Sequence, residues 1–260
     1  MPHVTSHAPG SFCWLQLTTT DQNASKQFYG SLFGWAIDDQ PIGPGQFYTM
    51  FQLEGRNAAA AAGMNQRMRD RGVPSHWMPY VCVASADDTA AKVQQAGGKV
   101  MAPPFDVFDL GRTAAIEDPT GAHFSIWQPK QHTGTGVTGV PGTLCWADLI
   151  TDPPVASKFY AAVFGWELTP GQDGSGYLHI KNGPEFIGGI PPVEHRPPNL
   201  PPHWVLYFLV ENCDASAAKA KDLGATILME PSTMEKVGRI AIVDDAQSAG
   251  FALFQPLPHN

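Results

Sequence analysis

The chain has 260 residues, with 24 acidic side chains against 16 basic ones and a formal net charge of −8 when His is neutral. No basic run offsets that balance, which argues against nucleic acid or an acidic membrane as partner. Four cysteines without a CxxC exclude a disulfide framework and zinc-finger spacing. No apolar run reaches the ~18 residues of a membrane span, and Met1 to Gly10 has no charged stretch followed by an apolar core. The expected compartment is the cytoplasm.

In chain order, Ser11 to Thr18 alternates and reads as a strand. Asp21 follows as an N-cap, then a helix with Ala24, Phe28 and Leu32 on one face, closed by Gly34. Strands follow at Gln46–Leu53 and Asn57–Met64, and Asn65 to Ser75 breaks the pattern. The plan then restarts: a strand at Trp77–Val83, a helix at Ala86–Ala96 ended by Gly97, and strands at Val100–Met101, Gly111–Ile116 and Ala122–Gln128. Gln128 to Gly142 is rich in Gly and Thr and reads as a linker between domains.

Beyond it the same grammar returns. Asp152 caps a helix with Pro153 at N1, Val155, Phe159 and Val163 repeat the apolar face, and Gly165 closes it. Strands follow at Gly176–Lys181 and Glu185–Ile190, then a proline-rich break from Pro191 to Pro202 that carries the cluster Glu194-His195-Arg196. The last module has a strand at Trp204–Val210, a helix at Asp214–Leu223, and strands at Ile227–Met229, Arg239–Val243 and Gly250–Gln255.

The two halves are copies. Phe28-Tyr29-Gly30-Ser31-Leu32-Phe33-Gly34-Trp35 returns as Phe159-Tyr160-Ala161-Ala162-Val163-Phe164-Gly165-Trp166. Cys13-Trp14 returns as Cys145-Trp146, His76-Trp77 as His203-Trp204, Gly111-Arg112 as Gly238-Arg239, and Glu117-Asp118 as Asp244-Asp245. The fold class is therefore α+β: two tandem domains, each of two βαβββ modules forming a cupped mixed sheet. Domain 1 covers 8–130 (modules about 11–64 and 76–128), a linker 131–142, and domain 2 143–257 (modules about 143–190 and 203–256). Whether modules pair within a half or across halves stays open.

Asp21…Phe28-Tyr29…Phe33-Gly34-Trp35, then Ala96-Gly97-Gly98, then Glu117-Asp118-Pro119-Thr120-Gly121-Ala122-His123-Phe124 resemble the vicinal-oxygen-chelate superfamily of glyoxalase I, bleomycin- and fosfomycin-resistance proteins and extradiol dioxygenases. The doubled motif is most similar to two-domain, glyoxalase-like bacterial proteins. The resemblance implies cups in which His and Glu ligands hold a divalent metal that chelates two neighbouring substrate oxygens. It places the ligand positions at Cys13, Met78 and Ser125 in the first half and at Cys145, Val205 and Ala252 in the second. The remaining positions fall near Ala60 to Gly63 and Ile187 to Gly189. The usual His/Glu set is missing from both halves.

Strand parity puts Met78, Tyr80, Cys82 and, upstream, His76 on one cup face, and His123, Ser125 and Trp127 on the neighbouring strand. His76 and His123 are candidates for a displaced metal pair or for acid–base work, and Cys13 for a thiolate ligand or nucleophile; partly exposed strand ends and a buried, inert thiol are the plain alternatives. Met78, Tyr80, Ser125, Trp127, Cys145, Tyr207 and Phe254 are the expected ligand-binding set. Trp14, Trp146, Trp77 and Trp204 are expected under the helices, Asp118 and Asp245 as turn formers, and Asp106 and Asp109 in a loop; Arg112 and Arg239 read as a structural pair or an anion anchor.

The expected function is binding of, or metal-free action on, a small carbonyl or aromatic compound in an aromatic-lined cup. The alternative is a lyase, isomerase or dioxygenase using zinc, nickel or iron through His76 and His123 in domain 1, the half this pattern favours as active. The partner is a small molecule.

Overall fold

The structure is a computed structural model that describes residues 3–171, 174–192, 194 and 200–257. His195 and Arg196 of the Glu194-His195-Arg196 cluster, and much of the proline-rich break, lie outside the described residues.

The first half runs β1 (Phe12–Thr19), α1 (Gln22–Phe33), β2 (Ala36–Gly43), β3 (Gln46–Leu53), β4 (Arg56–Gly63), α2 (Gln66–Asp70), β5 (His76–Cys82), α3 (Ala86–Gln95), β6 (Lys99–Val107), β7 (Gly111–Glu117) and β8 (His123–Pro129). The second half runs β9 (Leu144–Ile150), α4 (Pro153–Phe164), β10 (Glu167–Pro170), β11 (Leu178–Asn182), β12 (Glu185–Ile190), β13 (His203–Leu209), α5 (Cys213–Asp222), β14 (Thr226–Met234), β15 (Gly238–Asp244) and β16 (Gly250–Pro256). Each half folds into its own eight-stranded sheet, ordered β2-β3-β4-β1-β5-β8-β7-β6 and β10-β11-β12-β9-β13-β16-β15-β14. The two modules of a half join where β1 runs antiparallel to β5 and β9 to β13. Modules therefore pair within a half, and β1 with β4 and β5 with β8 are parallel.

Local chemistry sets the helix limits as expected. The Asp21 carboxylate accepts the Ala24 N–H at 3.0 Å, and Gly34 ends α1 in the left-handed region at φ 71°. In α4, Asp152 sits at the N-cap without a side-chain bond, proline occupies the first turn, and Gly165 ends the helix at φ 73°.

Five elements differ from the sequence expectation, among them the unexpected strand β10 and β14, which runs on from the expected Ile227–Met229 to Met234. β2 is a full strand with almost no buried side chain, so it carried no hydrophobic alternation to read. β6 runs from Lys99 through two prolines to Val107, which an edge strand tolerates, and Asp106 therefore lies in a strand. The break at Asn65–Ser75 contains the short helix α2.

The repeated aromatic motif holds the halves together. The buried Tyr29 hydroxyl donates to Asp245 Oδ2 at 2.9 Å, and the buried Tyr160 hydroxyl donates to Asp118 Oδ2 at 2.9 Å. Each helix thus reaches the turn carboxylate of the other half. Trp35 Nε1 donates to the Gly142 carbonyl at 3.0 Å, and Trp166 Nε1 to the Gly10 carbonyl at 2.8 Å. Phe33 meets Phe208 at 5.0 Å between ring centroids, and Phe12 meets Trp204 at 5.3 Å. Trp77 and Trp204 join one buried cluster that spans both halves. Asp118 and Asp245 do form their turns: Asp118 Oδ1 accepts from the Thr120, Gly121 and Ala122 N–H groups, and Asp245 Oδ1 from those of Gln247 and Ala249. Their second oxygens, left free by the turn, make the contact between halves.

Candidate functional site

Both cups are built around the first strand of their half, and in both that strand is bulged. Phe12 pairs with Val81 and Trp14 with Tyr80, leaving Cys13 as the extra residue; Leu144 and Trp146 bracket Cys145 in the same way. The bulge puts Trp14 and Trp146 on the cup side. This corrects their expected place under the helices, because strict alternation fails where one residue is inserted. Trp77 and Trp204 lie under the helices as expected.

A common constellation follows from the registers. In cup 1, Trp14 Nε1 donates to the Tyr48 hydroxyl at 2.9 Å, and the Tyr80 hydroxyl donates to Gln16 Oε1 at 3.1 Å. Gln16 faces Ala60 on one side and Met78 on the other. In cup 2, Trp146 Nε1 donates to the Tyr177 hydroxyl at 2.8 Å and to Asp148 Oδ1 at 3.0 Å. The Tyr177 hydroxyl donates to Asp148 Oδ1 at 2.5 Å, and the Tyr207 hydroxyl to Asp148 Oδ2 at 2.7 Å. Asp148 faces Gly189 and Val205. The duplicated cup is thus one tryptophan and two tyrosines around a central polar residue, an amide in one copy and a carboxylate in the other.

Asp148 is 4% exposed. Burial pushes its carboxyl above the usual carboxylate range, and the donors Tyr177, Tyr207 and Trp146 only partly offset this. Burial and the Asp148 charge push the Tyr177 and Tyr207 phenols up, so both remain donors. His179 stands beside the cluster, its ring 6.0 Å from Trp146, 5.2 Å from Tyr177 and 5.1 Å from Phe186. Gly189 leaves room for this arrangement: a Cβ there would lie 2.0 Å from the Tyr177 hydroxyl.

The cups differ in access. Over cup 1 the linker folds back. Trp127 Nε1 donates to the His132 carbonyl at 2.9 Å, and the His132 ring sits edge-on against Trp14 at 4.5 Å. The Thr135 N–H donates to the Cys13 carbonyl at 2.8 Å, and the N-terminal segment lies over both through Val4 N–H to the Gly136 carbonyl and a His7–Thr135 contact. Burial pulls His132 down to about 4. Cys13, Trp14 and Trp127 are buried as a result, whereas Cys145, Trp146 and Phe254 at the matching places in cup 2 are only half-buried. The half favoured as active by the histidine pattern is the closed one.

The other residues singled out in sequence fall as follows. His76 and His123 sit at the same end of β5 and β8, close enough for His123 to act electrostatically on His76. His76 Nδ1 lies 2.8 Å from the Pro74 carbonyl, and His123, 51% exposed, has Nε2 3.7 Å from Glu117. Burial holds His76 below the ordinary histidine range. Ser125 is buried opposite Tyr80, Met78 lies opposite Gln16, and Ala252 lies opposite Tyr207. Burial pushes Tyr80 up to about 12 and Cys145, whose thiol reaches the Tyr207 carbonyl at 3.3 Å, also up to about 12. Arg112 pairs with Asp87 and Asp106, and Arg239 with Asp214, so neither arginine serves a cup.

Asp148, Gln16 and Tyr177 were missed in sequence. A signal existed: Cys145-Trp146-Ala147-Asp148-Leu149 is an apolar strand with one carboxylate, and the copies differ there. Among the described residues no three His, Cys, Asp or Glu side chains converge as a metal site. Among the described residues Asp148 is the one carboxylate at the centre of either cup, and it already accepts three hydrogen bonds. These donors do not fit the His/Glu chelate that the resemblance implies.

The comparisons agree with the architecture. The family model of the Glyoxalase/Bleomycin resistance protein/Dioxygenase superfamily matches residues 11–126, and that of a glyoxalase-like domain matches 145–254. CFP32 of Mycobacterium tuberculosis (strain CDC 1551 / Oshkosh), which bears a provisional glyoxylase name, is 41% identical over 267 residues and 100% of both chains. The anthracycline biosynthesis protein DnrV of Streptomyces peucetius is 34% identical, covering 97% of this chain and 95% of its own. The Mn(II)-bound glyoxalase from Novosphingobium aromaticivorans shares the fold with a TM-score of 0.66 at 14% identity, covering 96% of this chain and 83% of its own. The 2,3-dioxygenase LapB from Pseudomonas sp. KL28 does so with 0.65 at 13%, covering 96% and 95%. Among the described residues no helix is long and apolar enough to cross a membrane. The doubled βαβββ plan, the family models and the full-length relatives together make this chain a member of the glyoxalase/bleomycin-resistance/dioxygenase superfamily.

Proposed function

We propose that the protein takes a small planar compound bearing hydroxyl and keto groups into the cup of its second domain. There Asp148 handles a proton without a metal ion. The observation that carries this reading is the buried Asp148 carboxylate, held by two phenols and an indole in the more open of two copied cups. Trp146, Tyr177, His179, Phe186 and Phe254 supply aromatic walls suited to a flat ligand. With both phenol hydrogens turned to Asp148 and the Tyr177 oxygen accepting from Trp146, the Tyr207 oxygen is the acceptor offered to a ligand hydroxyl. A carboxyl raised above its ordinary range is the stronger base once ionised, which suits enolising a carbon beside a keto group, a step of lyase or isomerase type. The name of the DnrV relative fits, since anthracyclines are fused planar rings carrying hydroxyl and keto groups.

The test is titration with 1,8-dihydroxyanthraquinone, read by tryptophan fluorescence. Asp148→Asn and Tyr177→Phe are expected to weaken binding about tenfold, the worth of one good hydrogen bond, while the exposed-site control His123→Ala leaves it unchanged. Full affinity in Asp148→Asn overturns the reading. The alternative, a metal centre on His76 and His123, predicts stoichiometric zinc, nickel or iron that is lost in His76→Ala.

A further inference from the structure

The cover over cup 1 hides two thiols that the proposed function does not use. The bulge in β1 turns Cys13 to the cup side, and β5 ends beside it at Cys82. Phe12 pairs with Val81, and the Cys82 N–H donates to the Ser11 carbonyl at 2.8 Å, so the two cysteines are diagonal neighbours across one strand pair. Both belong to the same small buried cluster with Trp14, Ala60 and Trp127. Each thiol reaches a carbonyl, Cys13 Sγ that of Tyr80 at 3.5 Å and Cys82 Sγ that of His7 at 3.4 Å, and the two lie close enough to shift each other's proton affinity. The arrangement exists in one copy only. Cys145 matches Cys13, but Leu209 stands where Cys82 would be, and Cys213 lies at the start of α5 with its Sγ 3.8 Å from the Leu253 carbonyl.

We propose that Cys13 and Cys82 form a reversible disulfide when the protein meets a hydroperoxide. Cross-strand cysteines on one face and in one packed cluster can reach disulfide geometry once the bulged end of β1 closes the diagonal gap between them. Of the two, Cys82 is the attacking sulfur: it lies under the N-terminal segment with its thiol at the His7 carbonyl, and its interaction with Cys13 holds it below the ordinary range. The Cys82 thiolate attacks the terminal peroxide oxygen, the O–O bond breaks, and the alcohol leaves with the proton that Cys82 gave up. Cys13 sulfur then attacks the Cys82 sulfenic acid, the S–O bond breaks, and water leaves with the Cys13 proton. One hydroperoxide and two thiols become one disulfide, one alcohol and one water. Access requires the N-terminal segment to lift from Cys82; it is tied by the His3–Val137 bridge, Val4 to Gly136, His7 to Thr135, the Pro9 carbonyl to Asn182, and Gly10 to Cys82 and Trp166.

The test uses the full chain with hydrogen peroxide as probe, then denaturation, alkylation and mass mapping. Two of the four thiols are expected to vanish with a loss of about 2 Da, in one linked Cys13–Cys82 peptide that a phosphine reductant restores. Cys82→Ala and, separately, Cys13→Ser are each expected to keep all three remaining thiols unlinked. Four alkylated thiols after peroxide overturn the proposal. So do linkages to Cys145 or Cys213, and oxidation that halts on Cys82 without a bridge.

Discussion

Replacing Tyr29 by Phe tests whether the reciprocal tyrosine–aspartate contacts hold the halves together. The Tyr29 hydroxyl is fully buried, donates to Asp245 at 2.9 Å and accepts from Trp77 Nε1 at 3.0 Å. Deleting it removes a hydrogen bond to a carboxylate, worth about 1.5–3 kcal/mol, and orphans a buried indole N–H at about 1–3 kcal/mol. The expected loss is about 3–5 kcal/mol, a large part of the ~5–15 kcal/mol that holds a domain folded. Tyr160 makes the matching bond to Asp118 at 2.9 Å, but Trp204 Nε1, although near enough to act on the Tyr160 hydroxyl, falls outside hydrogen-bond geometry, so no formed bond is lost there. Tyr160→Phe is therefore expected to lose only about 1.5–3 kcal/mol. Urea unfolding of both variants at pH 7, with the slope compared to confirm an unchanged transition, measures the difference. Equal losses, or a larger loss for Tyr160→Phe, refute the reasoning that the indole bond separates the two copies.

Three further outcomes follow from the cups. The folded-state pKa of Asp148 is raised above its ordinary 3.8, so the native state binds the proton more tightly than the unfolded chain. Stability then falls as pH rises from 3.8 through the raised value, by at most about 1.4 kcal/mol for each pH step of one, and is flat beyond it. Asp148→Asn removes that slope from a plot of Tm against pH, and an unchanged slope assigns the effect elsewhere. Gly189→Ala puts a Cβ 2.0 Å from the Tyr177 hydroxyl and pushes the phenol off Asp148. It is expected to weaken 1,8-dihydroxyanthraquinone binding as much as Tyr177→Phe, about tenfold, by the same fluorescence titration. Gly134 sits at φ 117° with a Cβ position 2.2 Å from the Cys13 carbonyl, so Gly134→Ala is expected to cost about 2 kcal/mol in urea unfolding and to expose Trp14 to acrylamide quenching.

What could be read from sequence follows the range over which each signal acts. Helix limits depend on neighbours, and Asp21, Gly34, Pro153 and Gly165 mark them. The duplication made the module count plain. Edge strands such as β2 carry no buried face, so the alternation that reveals a strand was absent. The bulge at Cys13 and Cys145 is a pairing property of two strands far apart in sequence, and it reversed the side assigned to Trp14 and Trp146. Asp118 and Asp245 were legible as turn residues because that role is local. Their bonds to Tyr160 and Tyr29 span 42 and 216 residues, and no local pattern announces them. The Asp148 cluster was hidden for the same reason, since Tyr177 and Tyr207 approach it from other parts of the chain.

The bonds between halves also account for how the two cups came to differ. Each half supplies both the tyrosine that the other half's turn needs and the turn that the other half's tyrosine needs. Neither sheet can be lost without orphaning a buried carboxylate in the one that remains, whether or not its own cup does any chemistry. Architecture therefore constrains the outer motifs Phe-Tyr and Phe-Gly-Trp in both copies, but it places no such demand on the cup centres. At that centre an amide faces a chamber closed by His132, Trp127 and the N-terminal segment in one copy, and a carboxylate faces a half-open one in the other. A buried amide needs only its hydrogen bonds, whereas a buried carboxylate also costs the desolvation of its charge. That cost in the second half alone is what a purely structural copy would have no reason to keep, and it is the reason for proposing the chemistry there.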